Sequence, residues 1–215
     1  MTYLPRSPEE VANALTHGIG AIASLIGGVV LIVLAGLRGD RWQVASAIVF
    51  SVALLLLYAA STAYHASRHP IRKHRLKILD HAAIYLVIAG TYTPFTLVAL
   101  RGPWGFGLFV AVWTMALAGV VFKLFYTGRF KRTSTLLYLA MGWLIVIAAA
   151  PMWRALSAAT LAWLAAGGLA YTVGTVFYLN QRLRYAHAVW HLFVLAGSGC
   201  HFVAVYAQVA TAAAS

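Results

Sequence analysis

Seven apolar runs follow one another along this chain of 215 residues, with only short polar gaps between them. A bilayer core about 30 Å thick takes about 20 residues of helix to cross, and lipid offers no partner to an unpaired backbone amide. Runs of that length are therefore read as membrane-spanning helices. They fall at roughly 18–37, 42–66, 78–100, 104–123, 134–153, 156–180 and 186–210, separated by gaps such as LRGD, RGPW and SRHPIRKHRLK. The expected fold class is all-α: a polytopic seven-transmembrane helix bundle forming one domain over residues 1–215. No repeat, linker or low-complexity segment interrupts it, and the gaps are too short for a second domain. Gly27-Gly28, Gly167-Gly168, Gly197 and Gly199 suit close approach of helices within such a bundle.

With 62% hydrophobic and 9% charged residues, the chain lies far from the composition of soluble domains, which carry roughly 25% charge. A net charge of +12 would point to nucleic acid in a soluble protein, but here the Lys and Arg sit in the gaps, so no nucleic-acid partner is expected. Their distribution reports topology. With the N-terminus inside, the inner segments hold Arg6; Arg68, Arg72, Lys73, Arg75 and Lys77; Lys123, Arg129, Lys131 and Arg132; and Arg182 and Arg184, against Arg38, Arg41, Arg101 and Arg154 outside. The positive-inside rule then gives N-terminus cytoplasmic and C-terminus outside, in the cell (inner) membrane. The first ten residues lack the pattern of a cleaved signal, so the first run is expected to be a retained helix. The one cysteine, Cys200, excludes an internal disulfide and a Cys-rich metal site.

Ionisable groups at membrane depth are costly, and each calls for a function and a partner. Of the four acidic residues, Glu9, Glu10 and Asp40 lie in the N-terminal segment or the first gap, which leaves Asp80 at the start of the third span. His187 and His191 stand four apart at the start of the seventh, on one helical face. Ser61 and His65 repeat that spacing at the end of the second. In the seven-span topology His65, Asp80, His187 and His191 share one depth at the inner face. Three imidazoles form a usual tetrahedral zinc set, and a fourth position left to water makes an open site of catalytic type. Asp80 is placed to orient or deprotonate that water, and Ser61 to hydrogen-bond it or a substrate carbonyl. The plainer alternative is that these groups hydrogen-bond one another between helices without a metal.

Other histidines read more simply. His81 is expected to hydrogen-bond between helices, His17 and His201 are single histidines not expected to be ligands, and His69 and His74 fall in the basic gap, read as a loop. In EEVANALTHGIG, Glu10, Asn13 and His17 recur at helical spacing, either as an amphipathic entry turn or as the cytoplasmic mouth of the site. Pro94 should kink the third span and free a carbonyl near Gly90. The tryptophans mark the membrane interfaces only in part.

The chain resembles the hemolysin III family, the bacterial branch of the progestin and adipoQ receptors (PAQR), within a superfamily that includes alkaline ceramidases. The motifs are E-x-x-N-x-x-x-H at Glu10, Asn13 and His17; S-x-x-Y-H at Ser61, Tyr64 and His65; DHAAIYLVIAGTYTP at 80–94; YLAMGW at 138–143; GGLAYTVG at 167–174; and HAVWHLFVLAGS at 187–198. The resemblance implies a seven-helix bundle with Zn²⁺ near the cytosolic face, held by His65, His187 and His191, with Asp80 contacting the metal through water and Ser61 nearby. It also implies, from the ceramidase branch, metal-assisted hydrolysis of a lipid amide. Against a hormone-receptor role, the chain lacks the long N-terminal extension of the animal receptors. Three functions follow as expectations: a zinc-dependent hydrolase acting on a membrane lipid at the cytoplasmic leaflet, a non-catalytic regulator of membrane state with a structural zinc, and, last, the pore-forming cytolysin that the family name suggests.

Overall fold

Ser7 begins the first helix. Its side chain accepts from the Glu10 amide at 3.2 Å and Pro8 occupies the first turn, where its missing N–H costs nothing. In this computed structural model, which describes residues 3–5, 7–180 and 182–211, α1 therefore runs Pro8–Arg38, ten residues earlier than the apolar run alone marks. That extra length carries Glu9, Glu10, Asn13 and His17 into the bundle. α2 (Arg41–Ala66) follows a two-residue turn, closed by a reciprocal Asp40–Gln43 capping box. α3 (Pro70–Pro94) also begins early, with His69 as its N-cap and Pro70 in its first turn, so most of the basic gap, His74 included, is helix rather than loop. Arg6 lies outside the described residues.

Pro94 cannot donate to the turn before it, and the chain answers by widening into a π-turn over Phe95–Ala99, closed by the Leu100 amide on the Phe95 carbonyl at 2.8 Å. α4 spans Pro103–Tyr126. The fifth crossing is broken. α5 (Lys131–Trp143) passes through a 3₁₀ stretch at Leu144–Ala148 into the short α6 (Ala149–Ala155), just upstream of Pro151, whose ring crowds the carbonyl four residues before it. Tyr92 of α3 repairs that break: its hydroxyl contacts the Met141 and Gly142 carbonyls at 2.9 and 2.8 Å and accepts from the Ile145 amide at 2.8 Å. Broken backbone at membrane depth is tolerated where protein groups satisfy it in this way. α7 (Ala158–Leu179) and α8 (Ala186–Thr211) complete the chain.

Among the described residues, seven helical segments are long and apolar enough to cross a membrane, with α5 and α6 counted as one crossing. Large apolar side chains such as Ile19, Leu37 and Phe125 point outward, as they do where lipid is the solvent. α1 packs on α2 and α8, α2 on α3, α3 on α4, and α7 on α8. Small residues permit the closest contacts: a Cβ on Gly28 would stand 2.9 Å from that of Ser51, and one on Gly167 would stand 2.8 Å from the His201 ring. Gly199, by contrast, has no such neighbour within 4 Å. The α5–α6 crossing touches the other helices sparsely. Between it and α3, α7 and α8 lies a cavity of about 400 Å³.

Candidate metal centre

His65 at the end of α2 and His187 and His191 at the start of α8 converge at one end of the bundle. One ligating atom from each lies within 4.8 Å of the other two, and the ring centroids are 4.6–5.1 Å apart. Around a tetrahedral zinc with Zn–N bonds of about 2.0–2.1 Å, ligand nitrogens would be about 3.4 Å from one another, so small side-chain adjustments close the set.

The hydrogen bonds behind two of these rings say which nitrogen is free. Glu10 Oε2 lies 2.8 Å from His65 Nδ1 and also accepts from Lys73 Nζ at 3.0 Å. A carboxylate can only accept, so His65 Nδ1 carries the proton and Nε2 holds the lone pair. That Nε2 is buried with no hydrogen-bond partner, the state of a ligand atom facing a cation. His191 Nδ1 lies 3.3 Å from the Asn13 carbonyl and 3.2 Å from Thr16 Oγ1, whose own proton is directed to the Ala12 and Asn13 carbonyls. Its Nδ1 is thus a donor too, and Nε2 is again the free atom. A histidine whose outer nitrogen donates to a carboxylate or carbonyl is the usual arrangement behind a metal-binding imidazole. The donor set and its orientation fit zinc.

The face of α1 that carries Glu10 and Asn13 is therefore packed behind His65 and His191. His17, on the same face, stacks on His191 with centroids 3.5 Å apart and meets the Tyr58 ring edge-on at 5.0 Å, with neither of its nitrogens hydrogen-bonded. Two participants escaped the sequence reading. Lys73 is one of many basic residues in its stretch, and Thr16 occupies an unspecified position between Asn13 and His17. The spacing of Thr16 from Asn13 along α1 was the available signal.

Asp80 at the histidine end of α3 lies outside the three-histidine cluster but lines the cavity together with His17, His187 and His191. His65 is near enough to act on its charge. His81 does not bridge helices through its side chain: its Nδ1 lies 2.8 Å from the Lys77 carbonyl one turn back and 3.5 Å from Asp80 Oδ2. The interhelical bond there is made by its backbone carbonyl, which accepts from the Tyr138 hydroxyl at 3.1 Å. Ser61 is fully buried, and its hydroxyl has no hydrogen-bond partner among the described residues. From this polar end the cavity follows α3 from Asp80 to Phe95, roughly 20 Å at 1.5 Å per residue, between mostly apolar walls. His201, deep in α8, also lines it and stacks on Tyr171.

The family described as haemolysin-III related matches residues 6–202. The chain belongs to that family. Among haemolysin III proteins it is 49% identical over 197 residues to the hemolysin-3 homolog of Bacillus subtilis (strain 168), covering 92% of each chain. It is 48% identical to hemolysin-3 of Bacillus cereus, covering 92% of this chain and 90% of that one. A more distant similarity, 29% over 210 residues, links it to the human monocyte to macrophage differentiation factor, with 95% of this chain and 86% of the relative covered. Similarity on both sides agrees with the haemolysin III/PAQR motifs, and the seven long apolar helices make this member a multi-pass membrane protein.

Proposed function

We propose that this haemolysin III protein is a zinc-dependent hydrolase that opens an amide bond of a membrane lipid lodged in the cavity beside the three histidines. The observation that carries the reading is the coincidence of two features: free imidazole nitrogens fixed from behind by α1, and a long apolar cavity whose polar end holds Asp80. His65, His187 and His191 would hold the zinc, which when bound supplies Lewis-acid polarisation of the scissile carbonyl. Asp80 would accept the proton of the attacking water and return it to the departing amine, so that water adds across the C–N bond to leave a carboxylic acid and an amine. The Ser61 hydroxyl would hydrogen-bond the water or the carbonyl oxygen. Glu10, through His65, is a positioning residue. The apolar walls would take an acyl chain and exclude bulk water.

The same reading puts the histidine end at the cytoplasmic leaflet of the inner membrane with the N-terminus inside. Its support is the concentration of Arg68, Arg72, Arg75, Arg129 and Arg132 at that end. The deciding test is turnover of a panel of amide-linked lipids by detergent-purified protein, with released fatty acid read by mass spectrometry. Asp80→Asn should keep its zinc and lose roughly a hundredfold or more in rate. Full turnover in a zinc-loaded Asp80→Asn protein would end the proposal.

One observation favours a second reading, in which zinc only pins α2 to α8. His65 and Ser61 are buried and do not line the cavity that Asp80, His187 and His191 line. Its signature is loss of thermal stability on chelation, with no product from any lipid in the panel.

A further inference from the structure

Most basic residues at the histidine end, Arg72, Arg75, Arg129 and Arg132 among them, are exposed, as charges at a membrane surface should be. Four lysines are not, and of these Lys73 is paired with Glu10, which leaves Lys77, Lys123 and Lys131. Lys123, near the end of α4, is 2% exposed; its Nζ donates to Ser134 Oγ at 2.6 Å and lies 5.8 Å from the centre of the Tyr138 ring. Lys131, at the start of α5, turns inward, donating to the Tyr178 carbonyl at 2.6 Å with Nζ 4.1 Å from the centre of that ring. Lys77 of α3 reaches the turn between α4 and α5, its Nζ 3.7 Å from where a Cβ on Gly128 would stand, and it repels both other lysines.

Among the described residues none of the three forms an ion pair with a carboxylate. Asp80, one turn along α3, lies near enough to Lys77 for the two charges to interact. Lys123 and Lys131, held by a hydroxyl, a carbonyl and aromatic faces with Lys77 beside them, lack the carboxylate partner that low-dielectric surroundings demand. Tyr138 and Tyr178, against which two of them pack, line the cavity beside Asp80 and His187.

We propose that Lys77, Lys123 and Lys131 form a phosphate-binding subsite behind Tyr138 and Tyr178, beside the histidine end of the cavity, for a phosphate borne by a lipid headgroup or for free phosphate. The subsite goes beyond the hydrolase reading and is tested by binding, with no turnover required. Full-length protein in neutral detergent is titrated with dioleoyl phosphatidic acid and with dioleoylglycerol, which has the same chains without the phosphate. Dissociation constants are read by native mass spectrometry. Phosphatidic acid should bind at least roughly tenfold tighter, the scale of charge-assisted hydrogen bonds. Lys131→Gln and Lys123→Met should each remove that preference, and Arg132→Gln, on the exposed face, should leave it. Lys131 is only partly buried, so its variant carries the test if Lys123→Met does not fold. Displacement of the lipid by millimolar inorganic phosphate assigns the subsite to free phosphate; no displacement assigns it to the headgroup. Equal affinity for the two lipids, or equal loss in Arg132→Gln, overturns the proposal.

Discussion

At one end of the bundle Glu10 meets Lys73 and His65; at the other Asp40 meets Arg101. The contacts are of similar length, 3.0 and 2.8 Å for Glu10 and 2.8 Å for Asp40. Their surroundings differ. The side chains of Arg101 and Asp40 are 52% and 48% exposed, whereas those of His65 and Lys73 are 3% and 18%. Water and salt screen the first pair, which ties the π-turn end of α3 to the capping box of α2 and does little else. Glu10 works where screening is poor, and its effect is on the far side of the His65 ring, where it leaves a lone pair facing His187 and His191. A carboxylate in one setting caps a helix, and in the other it orients an imidazole.

The sharpest way to break this contrast is to remove the ligands. Elemental analysis of detergent-purified protein should find about one zinc per chain, and a His187→Ala/His191→Ala variant with retained helicity should hold none. No metal in either protein would leave the histidines as interhelical hydrogen-bonding groups. Glu10→Gln comes next. It keeps the side-chain shape but weakens the fixed acceptor behind His65, so zinc affinity measured by chelator competition should fall about 10- to 100-fold. Unchanged affinity would show that burial alone orients the ring.

The seven crossings and the convergence of His65, His187 and His191 were legible because lipid imposes length and apolarity on a span and tolerates few ionisable groups within it. Helix starts were less legible. Hydropathy marks where lipid begins, while Ser7, Pro8, His69 and Pro70 mark where backbone hydrogen bonding begins, ten and eight residues ahead of the apolar runs. The break in the fifth crossing stayed hidden because Leu144–Ala148 is as apolar as any helix, and only Pro151 hinted at it. The inward lysines could not be told from surface ones, since both obey the same charge bias. Which way Lys123 points is decided by Ser134 and Tyr138, contributed by another helix.

Between the two ends, Tyr92 probes whether protein groups alone satisfy the broken fifth crossing. Tyr92→Phe keeps the ring but takes the acceptor from the Ile145 amide and the contact from the Met141 and Gly142 carbonyls. Stability should drop by on the order of 1 kcal/mol, read as a lower Tm in detergent with zinc content unchanged. No change in Tm would mean that water entering the cavity takes over those bonds.

The smallest effect belongs to the exposed pair. The Arg101 guanidinium, aided by the capping amides of α2, holds the Asp40 carboxyl below its usual range. A carboxyl whose pKa is depressed by folding favours the folded state above its unfolded pKa of about 3.9, and that contribution fades as pH falls through the lower folded value. Arg101→Gln should therefore lower Tm slightly at neutral pH in low salt. The difference from the parent chain should shrink in high salt and vanish once Asp40 is protonated. A difference that persisted in acid would assign the role of Arg101 to packing on Trp42, whose ring its guanidinium carbon approaches to 5.4 Å, and the contrast between the two ends would then rest on Glu10 alone.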